Sequence, residues 1–294
     1  AARKRMEEAL RLAAERVQGR LRVHVSYAAM NHLIQALWYL GYPDQASQMD
    51  ERGPGPSRNP DLKHPAREPL LALHRAWEDM QENAMRRLGR APEEIWWGNA
   101  QPMALITLGW THAHTGREAE GIAEMQRGLA GWQADGNQVC LSEFLTMLGE
   151  GYALAGRFDE GLACLEDALA HVARTGERYH EAEIYRIKGQ VLLRRGANPE
   201  DVENSYRQAI AVAQGQQARS WELRATASLA RLLEQQGRRD EAREMLSTIY
   251  VWFTEGFDTP DLQEAKALLD ALDKADERPQ HRGRRVPRSA LSRS

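Results

Sequence analysis

LGWTHAHTGREAEG at 108–121, LGEGYALAGRFDEG at 148–161, KGQVLLRRGANPEDV at 188–202 and LARLLEQQGRRDEA at 229–242 are four versions of one pattern. Their small residues, Gly109, Gly149, Gly189 and Ala230, are spaced 40, 40 and 41 residues apart. Seven residues after each stands a glycine: Gly116, Gly156, Gly196 and Gly237. A small residue within a helix lets a second helix approach closely, and a glycine just past a helix end adopts the left-handed conformation that stops it. Five residues beyond the turn comes a second small residue, Gly121, Gly161 or Ala242, where the returning helix crosses the first. The third unit departs by one residue, with ANPED preceding Val202. Met125, Leu165, Tyr206 and Leu246 follow four residues later, as knobs for the space between hairpins. Each unit reads as a helix, a tight turn and an antiparallel helix.

A helical hairpin cannot bury its apolar face alone, so four in register stack on one another. The pattern resembles the tetratricopeptide repeat, whose usual period is about 34 residues, with longer helices filling about 40 here. That resemblance implies an all-α fold: a tetratricopeptide-like right-handed superhelical solenoid of antiparallel helix pairs. Its concave surface would be lined by the first helix of each pair.

Downstream, in FDTPDLQEAKALLDAL, Thr259 is placed to cap a helix, Pro260 suits the first helical position and Asp261 favours the helix dipole. A capping helix to about Leu272 closes the stack, with Trp252, Phe253 and Phe257 filling the junction. Beyond Glu277 the tail has six arginines, prolines and serines but no acid, the composition of a disordered end. Upstream, ALWYLGYPDQA at 36–46 has the form of a first helix and its turn, with Ala46 at the small position, before GPGPSRNP at 53–60 forbids regular helix. A further helix is expected from Glu68 to Leu88, and PEEIWW at 92–97 restores apolar density. The expected division is therefore 1–97, degenerate repeats with an irregular loop at 47–66; 98–274, clean repeats and capping helix; and 275–294, the basic tail. The opening segment, with Met6, Ala9, Leu10, Ala13 and Val17 at helical spacing, reads as a chain entered in mid-architecture.

Of the 294 residues 42% are hydrophobic and 7% aromatic, and the formal net charge is -3, which excludes an overall polyanion binder and favours helices over strands. No apolar run approaches the roughly 18 residues a membrane span requires, so the chain is read as soluble and cytoplasmic. Cys140 and Cys164 have no metal-site spacing and are expected as buried thiols.

TGERYHEAEIYRIKGQVLL at 175–193 and IYVWFTEGFDTPDLQEAKALLDAL at 249–272 resemble the C-terminal repeats of large bacterial signalling ATPases. Those proteins join a class III adenylate/guanylate cyclase or a transcription-regulator domain to an ATPase and then to such repeats. The resemblance runs from about Leu105 to Leu272 and touches ALWYLGYPDQA, while 47–95 depart from it. It implies a regulatory role in which the repeats sense a partner and restrain or release the nucleotide-handling domains. No GxxxxGK[ST] loop is present, so no enzyme chemistry is carried over and no catalytic residue, metal or cofactor is assigned.

His112 and His114, two apart on a helix, point to different faces and cannot jointly hold a metal. His180, in HEAEIY, lacks the second histidine of a zinc-protease motif. Trp96, Trp97, Trp110 and Trp132 are read as core or junction aromatics. Projecting the repeat register onto the concave face selects Glu143, Thr146 and Glu150, then Glu183, Arg186, Gln190 and Arg194, then Arg224 and Arg231. Four arginines at solvated groove positions would clamp a carboxylate through paired N–H donors, so the expected partner is a protein or peptide, acidic peptides included, or a neighbouring domain of the same polypeptide. Membrane and nucleic acid are disfavoured. Met103, Ile106 and Trp110 form the alternative apolar site. The rival readings are a small-molecule-sensing repeat domain and an enzyme with its site in 47–97.

Overall fold

A computed structural model describes residues 34–52, 100–134 and 136–276. The helix expected at 68–88, the PEEIWW segment, the loop at 53–60, the opening segment and the basic tail lie outside the described residues, as do Trp96, Trp97 and nearly all of the rival enzyme region. The described residues form helices joined by turns and contain no strand.

A helical stretch at 34–39 turns into α1 (Pro43–Arg52), which continues as helix into the range read as an irregular loop. The repeats then follow as four hairpins: α2 (Ala100–His114) with α3 (Glu118–Ala134), α4 (Leu141–Leu154) with α5 (Phe158–Thr175), α6 (Glu181–Arg195) with α7 (Pro199–Gln216), and α8 (Arg219–Gln235) with α9 (Arg239–Tyr250). The closing helix α10 (Pro260–Asp276) starts at the proline that the sequence places there.

The crossings fall at the small residues. A Cβ on Gly109 would lie 2.5 Å from the Gly121 carbonyl oxygen, and one on Gly149 would lie 3.0 Å from that of Gly161. In the third hairpin the partner is a ring instead, since a Cβ on Gly189 would meet Tyr206 at 2.5 Å. Ala230 and Ala242 are buried at the fourth. The knobs Met125, Leu165, Tyr206 and Leu246 are all at most 2% exposed. Gly116, Gly156, Gly196 and Gly237 end the first helices with φ of 84°, 76°, 77° and 81°. The extra residue of the third turn supplies a cap, because Asn198 accepts a hydrogen bond from the Glu200 N–H at 3.2 Å, with Pro199 opening α7.

A second left-handed series, about 20 residues out of phase, follows the second helices at Gly136, Gly176, Gln217 and Gly256, the last of these in the connection between α9 and α10. Gln217 is the exception, a side-chain-bearing residue held at φ 57°. The backbones of successive first helices, α2, α4, α6, α8 and finally α10, come close to one another, whereas those of successive second helices stay farther apart, bridged by long side chains such as Arg207 on α7, which donates to Glu241 on α9 at 2.9 Å. Closer spacing on one side bends a stack toward that side, so the first helices line the inner face.

Gly149→Leu should cost about 1–3 kcal/mol through overpacking, and Gly109→Leu more, because its contact with the facing backbone is already closer. Gln217→Gly should stabilise by about 1 kcal/mol by removing the left-handed penalty of a residue with a Cβ. Denaturant unfolding of the three variants tests this ranking, and equal midpoints would refute the register.

Candidate functional site

The inner face is laced by polar contacts between neighbouring first helices. Trp110 Nε1 on α2 donates to Glu150 Oε2 on α4 at 2.8 Å, and His114 Nε2 lies 3.6 Å from Glu150 Oε1. The Tyr179 hydroxyl, just before α6, donates to Glu143 Oε2 on α4 at 2.7 Å. On α6, Arg186 grips Glu183 with two bonds of 2.7 and 2.6 Å. Arg224 on α8 reaches Glu183 at 3.1 Å and Asp261 on α10 at 3.9 Å, while Arg231 pairs with Glu264 at 2.8 Å.

The nine residues projected from the sequence therefore divide into three groups. Glu183, Arg186 and Arg224 come together, but as a neutralised ion cluster with Asp261 rather than an open clamp. Glu183 and Arg186 are each 6% exposed, which corrects the reading of these positions as solvated. The fold buries them because α6 lies between α4 and α8, and a buried charge persists only with a partner. Glu143 is tied to Tyr179, and Thr146 is buried with its hydroxyl donating to the Ser142 carbonyl of its own helix at 2.7 Å. Glu150, Gln190, Arg194 and Arg231 line one cleft of about 330 Å³ together with Ser228 and Gln235. Of the alternative apolar site, Ile106 is fully buried and belongs to the core.

Burial alone would raise the carboxyl pKa of Glu183, but the flanking Arg186 and Arg224 guanidinium groups outweigh it and hold the value at about 2. Burial pushes His180 below its ordinary 6.5, against the pull of Glu143 and Glu183. Burial likewise pushes Cys140 up to about 12 and Cys164 to about 11, so neither half-buried thiol is a ready nucleophile.

Sequence reasoning missed an aromatic cluster at the edge of this face. The Tyr39 ring lies near-parallel to Trp221, centroids 4.9 Å apart, and to Tyr179 at 6.2 Å. Trp38 and His180 meet the Trp221 ring edge-on at 5.3 and 5.5 Å. The recoverable signal was Tyr179, in the connection into α6, and Trp221, in the first turn of α8. Among the described residues, His112, Glu120 and Glu124 form a group whose ligand atoms lie within 4.8 Å of one another. The hydrogen bond between His112 Nδ1 and Glu124 Oε2, 2.6 Å long, makes this first of all a contact within the α2–α3 hairpin.

Arg186→Ala should cost about 3–5 kcal/mol because it strands Glu183, whereas Arg194→Ala, at an exposed position, should cost less than about 0.5 kcal/mol. Acid should destabilise the fold in two stages through His180 and Glu183, because both have lowered values and so contribute stability that is lost as pH falls, while the raised value of Asp261 offsets part of the second stage. His180, kept neutral, acts from about pH 6.5 downward, and Glu183 acts between its ordinary 4.5 and about 2. Melting temperature against pH tests this; in His180→Gln the first stage should shrink and the second persist.

Residues 141–215 match the family model described as tetratricopeptide repeat, so that part of the chain is a tetratricopeptide-repeat region. Over 129 residues the chain is 29% identical to an uncharacterized protein of Rhizobium meliloti, an alignment that takes in 44% of this chain and 12% of that relative. The chain thus spans a small part of the curated relative it matches. The crystal structure of BtubC (BKLC) from P. vanneervenii aligns over 100% of this chain and 96% of its own at 14% identity, with a TM-score of 0.43.

Proposed function

We propose that the chain is the recognition part of a larger regulatory protein and binds a peptide or neighbouring domain at the cleft where Glu150, Gln190, Arg194 and Arg231 meet. Tetratricopeptide repeats generally serve protein–protein interaction, and the carrying observation here is the state of those side chains. Elsewhere the inner face is committed to internal ion pairs. At the cleft, Arg194 is exposed, with its guanidinium 6.0 Å from the Phe158 ring, and the Arg231–Glu264 pair is 45% and 65% exposed. Pairs of that exposure are worth little and exchange readily, so an incoming carboxylate competes on even terms. Gln190, Ser228 and Gln235 add donors and acceptors for a peptide backbone.

The signalling context rests on the resemblance of 175–193 and 249–272 to the repeats of cyclase- or regulator-linked ATPases, and on the small share of the Rhizobium meliloti relative that this chain spans. In that setting the domain works in the cytoplasm and is not itself an enzyme; a bound partner shifts the balance of states in the attached domains. No helix among the described residues is long and apolar enough to cross a membrane. The cleft volume of about 330 Å³ also suits a small metabolite.

Arg194→Glu with Arg231→Glu should weaken capture of an acidic peptide or of the flanking domains at least about tenfold at low salt, with helicity unchanged. Arg127→Glu, on the opposite side of the stack, should leave binding intact. Titrations at two ionic strengths test this, since wild-type affinity should fall as salt rises. A thermal-shift screen in which metabolites stabilise the chain while peptides do not would favour the small-molecule reading.

A further inference from the structure

The segment 34–46 does not simply continue the stack; it lies across the connections that precede the later first helices. The Ser220 hydroxyl donates to the Trp38 carbonyl at 2.5 Å. The backbone N–H and side-chain amide of Gln45 donate to the two carboxylate oxygens of Glu255, each at 3.2 Å, and the Gly256 N–H donates to Asp44 at 3.3 Å. Two glycines permit the approach: a Cβ on Gly41 would strike Trp252 at 2.6 Å, and one on Gly256 would strike Pro43 at 2.1 Å. The result delivers Tyr39 to the rings of Tyr179 and Trp221 at the upper edge of the inner face. There Burial raises its phenol pKa well above 10, with Glu143, Cys140 and Glu183 adding to the rise. Glu183 among these neighbours belongs to the inner-face ion cluster.

We propose that the Tyr179–Trp221 ring pair, flanked by His180, is a recognition site for an aromatic side chain presented at a helix end, and that Tyr39 occupies it in cis as a displaceable resident. This rests on the reading of the chain as a binding module and adds a second recognition point to its inner face. Two features mark Tyr39 as a resident ligand rather than core. It is only partly buried, packed against the core cluster of Ala182, Val212, Ala213, Ala218 and Trp221, and it reaches that cluster from more than 130 residues away in sequence. The fit is also incomplete. His180 is 7% exposed, and its Nδ1 has no hydrogen-bond partner while Tyr39 is in place. A buried polar atom left unmatched is a standing penalty on the resident state, which a partner bringing a donor or acceptor beside its aromatic ring removes. Arg224, 5.2 Å above the Trp221 ring, links the pocket to Glu183 and Asp261. An exchange of ligand at the rings is thereby felt by the ion cluster of the inner face.

The test uses the full chain and a fluorescent peptide of sequence ALWYLGYPDQA, residues 36–46. Tyr39→Ala, which vacates the rings, should bind the peptide at least about tenfold more tightly than wild type, and adding Tyr179→Ala should remove that gain. In the isotopically labelled wild-type chain, saturating unlabelled peptide should shift the amide signals of 34–46, a readout that needs no substitution. Sedimentation should show a monomer. Equal peptide affinity for wild type and Tyr39→Ala, an affinity indifferent to Tyr179→Ala, unmoved amide signals, or a dimer in which a second copy supplies the segment would each overturn the proposal. Its failure would leave the Arg194–Arg231 cleft untouched, because none of these probes requires those arginines.

Discussion

Everything in this stack depends on how closely two helix backbones approach at each hairpin crossing. Gly109 against Gly121 and Gly149 against Gly161 leave no room for a Cβ at the facing carbonyls. Backbones that close bring Met125 and Leu165 into the gap between one hairpin and the next instead of onto its outside. The core clusters accordingly straddle the junctions: one joins α2, α3 and α4, a second α4, α5 and α6, and a third runs through α7, α8, α9 and α10. Stability passes from neighbour to neighbour, and no hairpin retains its core if the one beside it is lost.

The same constraint sets the electrostatics. Because the first helices sit close together on the inner side, their polar residues meet each other before they meet solvent. Glu150 takes hydrogen bonds from Trp110 and lies beside His114, and Arg224 spans from Glu183 toward Asp261. Desolvation makes each such charge dependent on its partner, so the inner face is held in one arrangement by pairs that are costly to break singly. At the Arg194 end the face is more open, and its charges stay in contact with water.

The sequence carried the hairpins in full because their signals are local. A glycine seven residues after a small residue describes one turn and one crossing, whatever the rest of the molecule does, and the capping signals at Thr259 and Pro260 are equally self-contained. The second series of left-handed turns was less legible, since Gln217 stands in it where the others have glycine. The nine projected positions all lie on first helices, but their state could not be read from the register. Whether Arg186 is a free clamp or half of a buried pair depends on Glu183 three residues away and on how deeply α4 and α8 enclose α6. Periodicity fixes direction, not depth. The docking of Tyr39 was invisible for a different reason: contacts separated by 182 and 212 residues leave no periodic trace in either partner.

Those long-range contacts change what a groove of this kind has to do when it recognises something. An empty groove binds by adding contacts, and its affinity is the sum of what is added less the ordering cost. Here much of the surface already has internal occupants: Tyr39 on its rings, Glu264 on Arg231 and Glu183 on Arg224. A partner gains only the difference between its own contacts and those it replaces, which lowers affinity but sharpens selectivity, because a ligand that matches only part of the site recovers less than it displaces. Any ligand that favours the exchanged arrangement also favours release of the segment around Tyr39, and the free energy of that release is the quantity by which binding at this face is coupled to the rest of the chain.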